Sequence, residues 1–325
     1  MNFFGEILAL VVAMSWTVTA LFAEVGSKRM GSLPFNAIRM TMSLLFLAAM
    51  MVVAFGVPYP LYADGKTWMW LLLSGVVGYV IGDYCLMQGY IIIGSRFGQL
   101  FMTLSAPTAA ILGRLLIGET MKPLAIVGMF VTLTGIGMSV LSKKDNESTL
   151  HLSLPRRGVL YAAMAGICQG GGLVLSKVGL EHYAAAISAC GLSSSSIPDG
   201  ALLPLPLNVT IPFASTMMRG IMGLVGFVLL MTIMEKGWRE KLNHAVRDRK
   251  AMLCAFGSML FGPFVGVSLS LMATQYTATG IAQTIFALTP VLIIAPAALL
   301  FHQKVTLKEV IGAVISVVGV CLFFI

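Results

Sequence analysis

Apolar residues run through this chain in long unbroken blocks, not in alternation. Ten blocks stand out: 4–24, 36–55, 67–87, 97–117, 123–142, 158–178, 212–234, 251–273, 281–301 and 305–325. At about 1.5 Å rise per residue, roughly 20 residues cover a hydrocarbon core of about 30 Å. Blocks of that length predict spanning helices, whereas an outer-membrane barrel shows shorter alternating segments. The expected fold class is therefore all-α: a polytopic membrane protein with ten transmembrane helices. Links such as 118–122 and 302–304 are short enough to turn neighbouring helices into antiparallel hairpins.

Two links differ from the rest. Residues 143–157 (KKDNESTLHLSLPRR) form the most polar stretch near the midpoint and read as a linker between halves. Residues 179–211 are rich in Ser, Gly and Pro, lack Lys and Arg, and read as an extramembrane loop, either a lid or a tolerated insertion. A shift of 184 positions then lays the first half on the second. Gly78 falls on Gly262, Gly82 on Gly266, Gln99 on Gln283, Gly128 on Gly312 and Gly135 on Gly319. A shared apolar bias matches Leu with Leu, but it does not readily match glycines and a glutamine in register. The expected domains are a five-helix repeat at 1–142, the linker 143–157, and a second repeat at 158–325 carrying the 179–211 loop. Because five is odd, the second repeat enters the membrane in the opposite sense, so the ten helices form two inverted repeats. The glycines are expected to pack helices, since small residues permit close backbone approach in lipid, where apolar burial drives association weakly.

Composition supports this reading. Of 325 residues, 58% are apolar and 10% charged, against about 25% charged in ordinary soluble domains; the mean hydropathy is +0.92. A cytosolic enzyme, a disulfide scaffold and a disordered chain are excluded. The net charge of +8 comes from loops, not from a nucleic-acid surface. Fifteen Lys and Arg, from Lys28 to Lys308, fall on one set of alternate connections and their flanks; only Lys66 and Lys122 fall on the other. The positive-inside rule puts the fifteen in the cytoplasm and both termini outside. The first block lacks a basic leader and a small-residue cleavage site, so it reads as a retained helix. The five cysteines are expected to be free thiols, four of them within apolar runs.

Signatures of enzymes are missing. There is no HExxH and no GxSxG, and Asp83 is the only Asp within a span, so a two-carboxylate protease site lacks its second member. The four histidines lie in loops or at helix ends; no metal and no cofactor is expected. An ionisable group at mid-bilayer is costly and faces protein or water. Asp83 therefore reads either as a proton-coupling or substrate-contacting carboxylate, or as a packing residue with a polar partner. Arg39 and Arg219, at similar places in the two halves, either snorkel to head groups or pair inward with a carboxylate. Glu6 and Glu24 read as interfacial, and Arg114 and Lys177 as snorkelling. The candidate substrate-binding residues are Trp16, Thr19, Asp83, Tyr84, Gln88, Gln99, Gln169, Ser268 and Gln283, with interhelical hydrogen bonding as the alternative role for each.

These residues also resemble a known family. Ala13–Trp16, Arg39, Gly78–Asp83, Leu104–Pro107, Leu115–Glu119 and Ala287–Pro290, each half closed by a Gly-rich helix, are similar in order to the EamA-like permeases of the drug/metabolite transporter superfamily. The resemblance implies a central cavity lined by helices 1, 3, 4, 6, 8 and 9, and export of amino acids, other metabolites or xenobiotics across a bacterial inner membrane. It also implies cytoplasmic termini, against the charge count. His302-Gln303 and Gln169 depart from the family's usual Glu and Trp. The expected function is a secondary transporter working by alternating access, proton-coupled through Asp83, with a small molecule and the lipid bilayer as partners, in a monomer or homodimer. The alternative is a lipid-handling protein with a head-group site at Arg39 and Arg219.

Overall fold

The computed structural model describes residues 3–140, 155–190, 206–293, 296 and 307–322. Helices α1 (Phe4–Met30) and α2 (Ser32–Phe55) meet at Gly31, whose φ of 85° with ψ of 160° is open essentially to glycine alone. The Asp64 carboxylate accepts the Thr67 N–H at 2.8 Å and starts α3 (Gly65–Gly75). A π-helical turn, Val76–Asp83, leads on to α4 (Tyr84–Met102), which breaks at Gly94 (φ 82°, ψ 163°) and restarts at Ser95. Next come α5 (Ser105–Ile117) and α6 (Pro123–Val140). The second part holds α7 (Arg156–Ala189), α8 (Leu207–Met234) and a short polar α9 (Trp238–Arg247). It continues with α10 (Arg249–Met259), a second π turn at Leu260–Phe264, and α11 (Val265–Thr274). It ends in α12 (Thr279–Phe286), α13 (Thr289–Leu292) and α14 (Leu307–Cys321).

Among the described residues, seven helical stretches are long and apolar enough to cross a membrane, and three shorter apolar helices lie at Pro123–Met138, Thr279–Leu292 and Val310–Cys321. Large apolar side chains cover the outside, with Leu45, Leu115, Ile233 and Leu253 between 66% and 73% exposed. In water such a surface would aggregate; in lipid it is the solvated face.

The two π turns start 184 positions apart, and they account for the paired glycines. A π turn closes five residues apart, which swings a carbonyl beneath the residue five positions on. A Cβ on Gly82 would sit 3.2 Å from the Val77 carbonyl oxygen, and one on Gly266 would collide with the Phe261 carbonyl. A second set of paired contacts joins α6 to α14. The Thr132 and Ser316 hydroxyls each donate at 2.8 Å to the carbonyl four residues back in their own helix, and each also lies 3.4 Å from the other residue's carbonyl oxygen. A Cβ on Gly135 would meet the Ser316 nitrogen, and one on Gly319 the Thr132 nitrogen, each at 2.5 Å. The contact is reciprocal, as across a twofold axis.

The loop expected at 179–211 is helical at both ends: α7 continues to Ala189 and α8 begins at Leu207. The stretch Tyr183–Ala189 (YAAAISA), with four alanines, is both apolar and high in helix propensity, so the helix runs on into the expected loop. Residues 191–205, most of the linker 143–157, and His302-Gln303 lie outside the described residues. All five cysteines are free; Cys85 and Cys168 are buried, while Cys190 and Cys321 are exposed.

Candidate functional site

A salt bridge sits at the centre of the bundle. Arg39 of α2 pairs with Asp83 at 2.5 Å, with the two side chains 1% and 7% exposed. This places Arg39 inward, the second of its two expected roles. Arg39 also donates to the Asn36 side-chain Oδ1 at 2.9 Å and lies 3.5 Å from the Ser258 hydroxyl. The other Asp83 oxygen accepts from Gln169 Nε2 of α7 at 2.8 Å, and the same amide reaches the Gly78 carbonyl at 3.2 Å. Asp83 thus ties α2 to α7 at the end of the first π turn. Arg39 lies beside the second π turn, 3.8 Å from where a Gly262 Cβ would be; Arg219 lies beside the first, 2.9 Å from a Gly78 Cβ. Arg219 thereby occupies the space that the missing side chain of Gly78 leaves, while at Gly262 that space is taken by Thr19, with Arg39 beside it. The guanidinium of Arg219 stacks over Tyr79 at 4.9 Å.

Beside this pair lies a small cavity of about 60 Å³. Its polar walls are Gln99, Ser105, Gln169, Arg219, Ser270 and Gln283. Its apolar walls include Trp16, Met102, Leu173 and Phe286. Four pairs of wall residues are 184 positions apart: Leu86 with Ser270, Gln99 with Gln283, Met102 with Phe286, and Ser105 with Thr289. The walls are held by polar contacts among themselves. Ser105 donates to Gln283 at 3.0 Å, Gln283 reaches the Gln169 carbonyl at 3.5 Å, and Gln99 donates to the Tyr90 hydroxyl. Both wall helices are interrupted here, at Thr103–Leu104 between α4 and α5 and at Ala287–Leu288 between α12 and α13. Interrupted helices at mid-membrane leave backbone polar groups free to line a site.

The nine candidate binding residues separate into three groups. Trp16, Gln99, Gln169 and Gln283 line the cavity, and Asp83 stands one hydrogen bond behind it through Gln169. Four lie elsewhere. Thr19 packs against Gly262, Tyr84 meets the edge of Tyr161 at 6.2 Å, Gln88 donates to Ser32 at 2.8 Å, and Ser268 donates to Thr216 at 3.1 Å. Sequence reasoning left out Ser105, Ser270 and Thr289, and named Arg219 only as a snorkelling or paired residue. The 184-residue shift that matched Gln99 to Gln283 also matches Ser105 to Thr289.

Acid–base pairs hold the starts of the two equivalent wall helices. At one, the Glu24 carboxylate accepts the Ser95 N–H at 2.9 Å and pairs with Lys28 at 2.5 Å. At the other, Glu119 accepts the Thr279 N–H at 2.9 Å and pairs with Lys177 at 2.5 Å. Lys177 is therefore paired between helices and does not snorkel. Glu6 binds the Thr277 hydroxyl at 2.8 Å, next to the second clasp. Glu6 and Glu24 are 18 residues apart on α1, which at about 1.5 Å per residue separates the clasps by about 27 Å, close to the thickness of a bilayer core.

A lipid-faced helical bundle with this many long apolar helices is a multi-pass membrane protein. The EamA-like transporter family model matches residues 3–141 and again 206–325, and the chain belongs to that family, within the drug/metabolite transporter superfamily. The two matches cover the two runs related by the 184-residue shift and leave out α7. A solved crystal structure 14% identical to the chain superposes with a TM-score of 0.67 over 99% of this chain and 96% of the other, a shared fold. No curated protein matches the chain significantly.

Proposed function

We propose that this protein is a secondary transporter that exports a small organic solute across a bacterial inner membrane by alternating access. Two inverted five-helix repeats, 1–142 and 158–325, rock about the central cavity. The observation that carries this reading is that the cavity draws matched residues, Gln99 with Gln283 and Ser105 with Thr289, from both repeats. A site shared by two related halves can face either side as they tilt. The reciprocal Thr132–Ser316 contact serves as the pivot. The clasps Glu24–Lys28 and Glu119–Lys177 open in turn, one at each membrane face. The termini and the Glu119 clasp lie outside, because Arg29, Lys28 and the basic α9 cluster at the opposite end. Proton coupling runs through Asp83: protonation would remove the charge that pairs with Arg39 and weaken the bond from Gln169, which lines the cavity.

The test compares metabolites released by cells expressing the protein with those released by deleted cells, followed by flux of the enriched solutes in proteoliposomes. Solute accumulating in the deleted cells and moving in proteoliposomes supports the reading. Fluorescent phospholipid moving between leaflets, with no solute flux, would instead establish the lipid-handling alternative. Asp83→Asn is expected to abolish uphill flux and its pH dependence; an unchanged pH profile removes the proton role.

A further inference from the structure

Glu6, Arg39, Asp83 and Arg219 are the buried charged residues among those described. Glu6 lies at the end of α1 and bonds Thr277. Asp83 is committed to Arg39. Arg219 differs from the other three. It is 4% exposed and lines the cavity, yet among the described residues no hydrogen bond or ion pair reaches any part of its guanidinium; Arg39 also has a buried Nε without a partner, but its other nitrogens are bonded. The neighbour of Arg219 is the face of Tyr79 at 4.9 Å, which holds the group flat but satisfies none of its N–H donors. A buried cation with unmet donors is costly unless something supplies acceptors and negative charge.

We propose that the cavity binds an organic monocarboxylate, whose carboxylate docks on Arg219. Three features of the site define this class. The centre holds two cations and one anion, so it lacks one negative charge; a dianion would overshoot. A guanidinium presents paired N–H groups in a plane that matches the two oxygens of a carboxylate. The opposite wall, with Trp16, Leu173 and Phe286, receives an uncharged apolar body, while Ser105, Gln283 and Ser270 offer neutral hydrogen bonds along it. Within the described walls no carboxylate is available to receive an ammonium group, which favours a simple carboxylate over a cationic or zwitterionic solute. The assignment rests on the transport reading only in calling the ligand a substrate.

The experiment measures binding to the purified full chain in detergent, by quenching of tryptophan fluorescence, with Trp16 in the wall as reporter. The probes are benzoate, phenylacetate and hexanoate, each against its neutral amide. Wild type is expected to bind at least one acid ten-fold or more tightly than its amide. Arg219→Gln is expected to erase that preference. Arg219→Lys, which keeps the charge without the paired donors, should keep the preference at reduced affinity and serves if the glutamine variant does not fold. Equal binding of acids and amides, no saturable binding of any acid, or a preference that survives in Arg219→Gln would overturn the proposal. Proteoliposome flux is scored separately. Arginine-dependent acid binding without flux of any solute would remove the transport reading and leave the site. Flux of neutral solutes with no acid preference would do the reverse.

Discussion

Replacing Arg39 with glutamine leaves the Asp83 carboxylate buried with Gln169 as its remaining side-chain donor at 2.8 Å. Replacing Asp83 with asparagine leaves the Arg39 guanidinium buried beside a second cation, Arg219. Breaking one partner of a buried ion pair costs about 3–5 kcal/mol, since the survivor keeps its desolvation cost and loses its attraction. With the pair only 1% and 7% exposed, solvent screening does little to reduce this. The expected loss for either single variant is therefore a factor of a hundred to several thousand in the folding equilibrium. The double variant Arg39→Gln/Asp83→Asn removes both charges of the pair, leaving only the Arg219 cation, and two amides can hydrogen-bond across the gap. Its loss should fall short of the summed single losses by at least about 1.5 kcal/mol. The assay is reversible unfolding of the four purified proteins in mixed dodecylmaltoside and SDS micelles, followed by far-ultraviolet circular dichroism. Losses that add to within about 0.5 kcal/mol would mean that the two residues act independently, and the description of the centre as one electrostatic unit would be wrong.

Two further outcomes follow from the geometry. Gly135→Val and Gly319→Val each drive a side chain into the facing backbone of the α6–α14 contact, where even a Cβ would lie 2.5 Å from a nitrogen; each should cost at least about 1–3 kcal/mol in the same unfolding assay, while Gly137→Ala, with open space around it, should cost less than either. Asp248 starts α10, and hydrogen bonds from the Ala251 N–H and Arg29 hold its carboxyl below the ordinary 3.8. Its folded-state pKa is depressed, so its contribution is full at neutral pH and fades as pH falls below 3.8; the difference in melting temperature between wild type and Asp248→Ala should be present at pH 7 and shrink at pH 3.

Much of this architecture was legible in the sequence because membrane helices obey two blunt rules, length and hydropathy, and because the glycines repeat in register. Those glycines mark places where a backbone atom occupies the space of a side chain, which is why they survive the shift while Leu and Val blur. Other features depend on contacts that no local pattern carries. The partner of Lys177 is Glu119, 58 positions away, so Lys177 taken alone looks like any basic residue near a helix end. The extension of α7 to Ala189 follows from the alanine-rich, apolar run Tyr183–Ala189, which the polar make-up of the rest of 179–211 masked. Tyr84 and Gln88 flank Asp83 in sequence, but the helix turns them away from the cavity, toward Tyr161 and Ser32. Arg219 read in the sequence as snorkelling or paired with a carboxylate; that it is buried without such a partner emerges only when every neighbouring side chain is placed.

The central claim is that one cavity, built from both repeats, opens by turns to each side of the membrane. Gln99→Cys and Gln283→Cys, in a chain whose five native cysteines are replaced, test it in vesicles of known orientation with a charged, membrane-impermeant methanethiosulfonate. Each cysteine should react from the cytoplasmic face and from the outer face, and the modified protein should no longer move solute. Reaction from a single face under every condition, or from neither, would contradict the account.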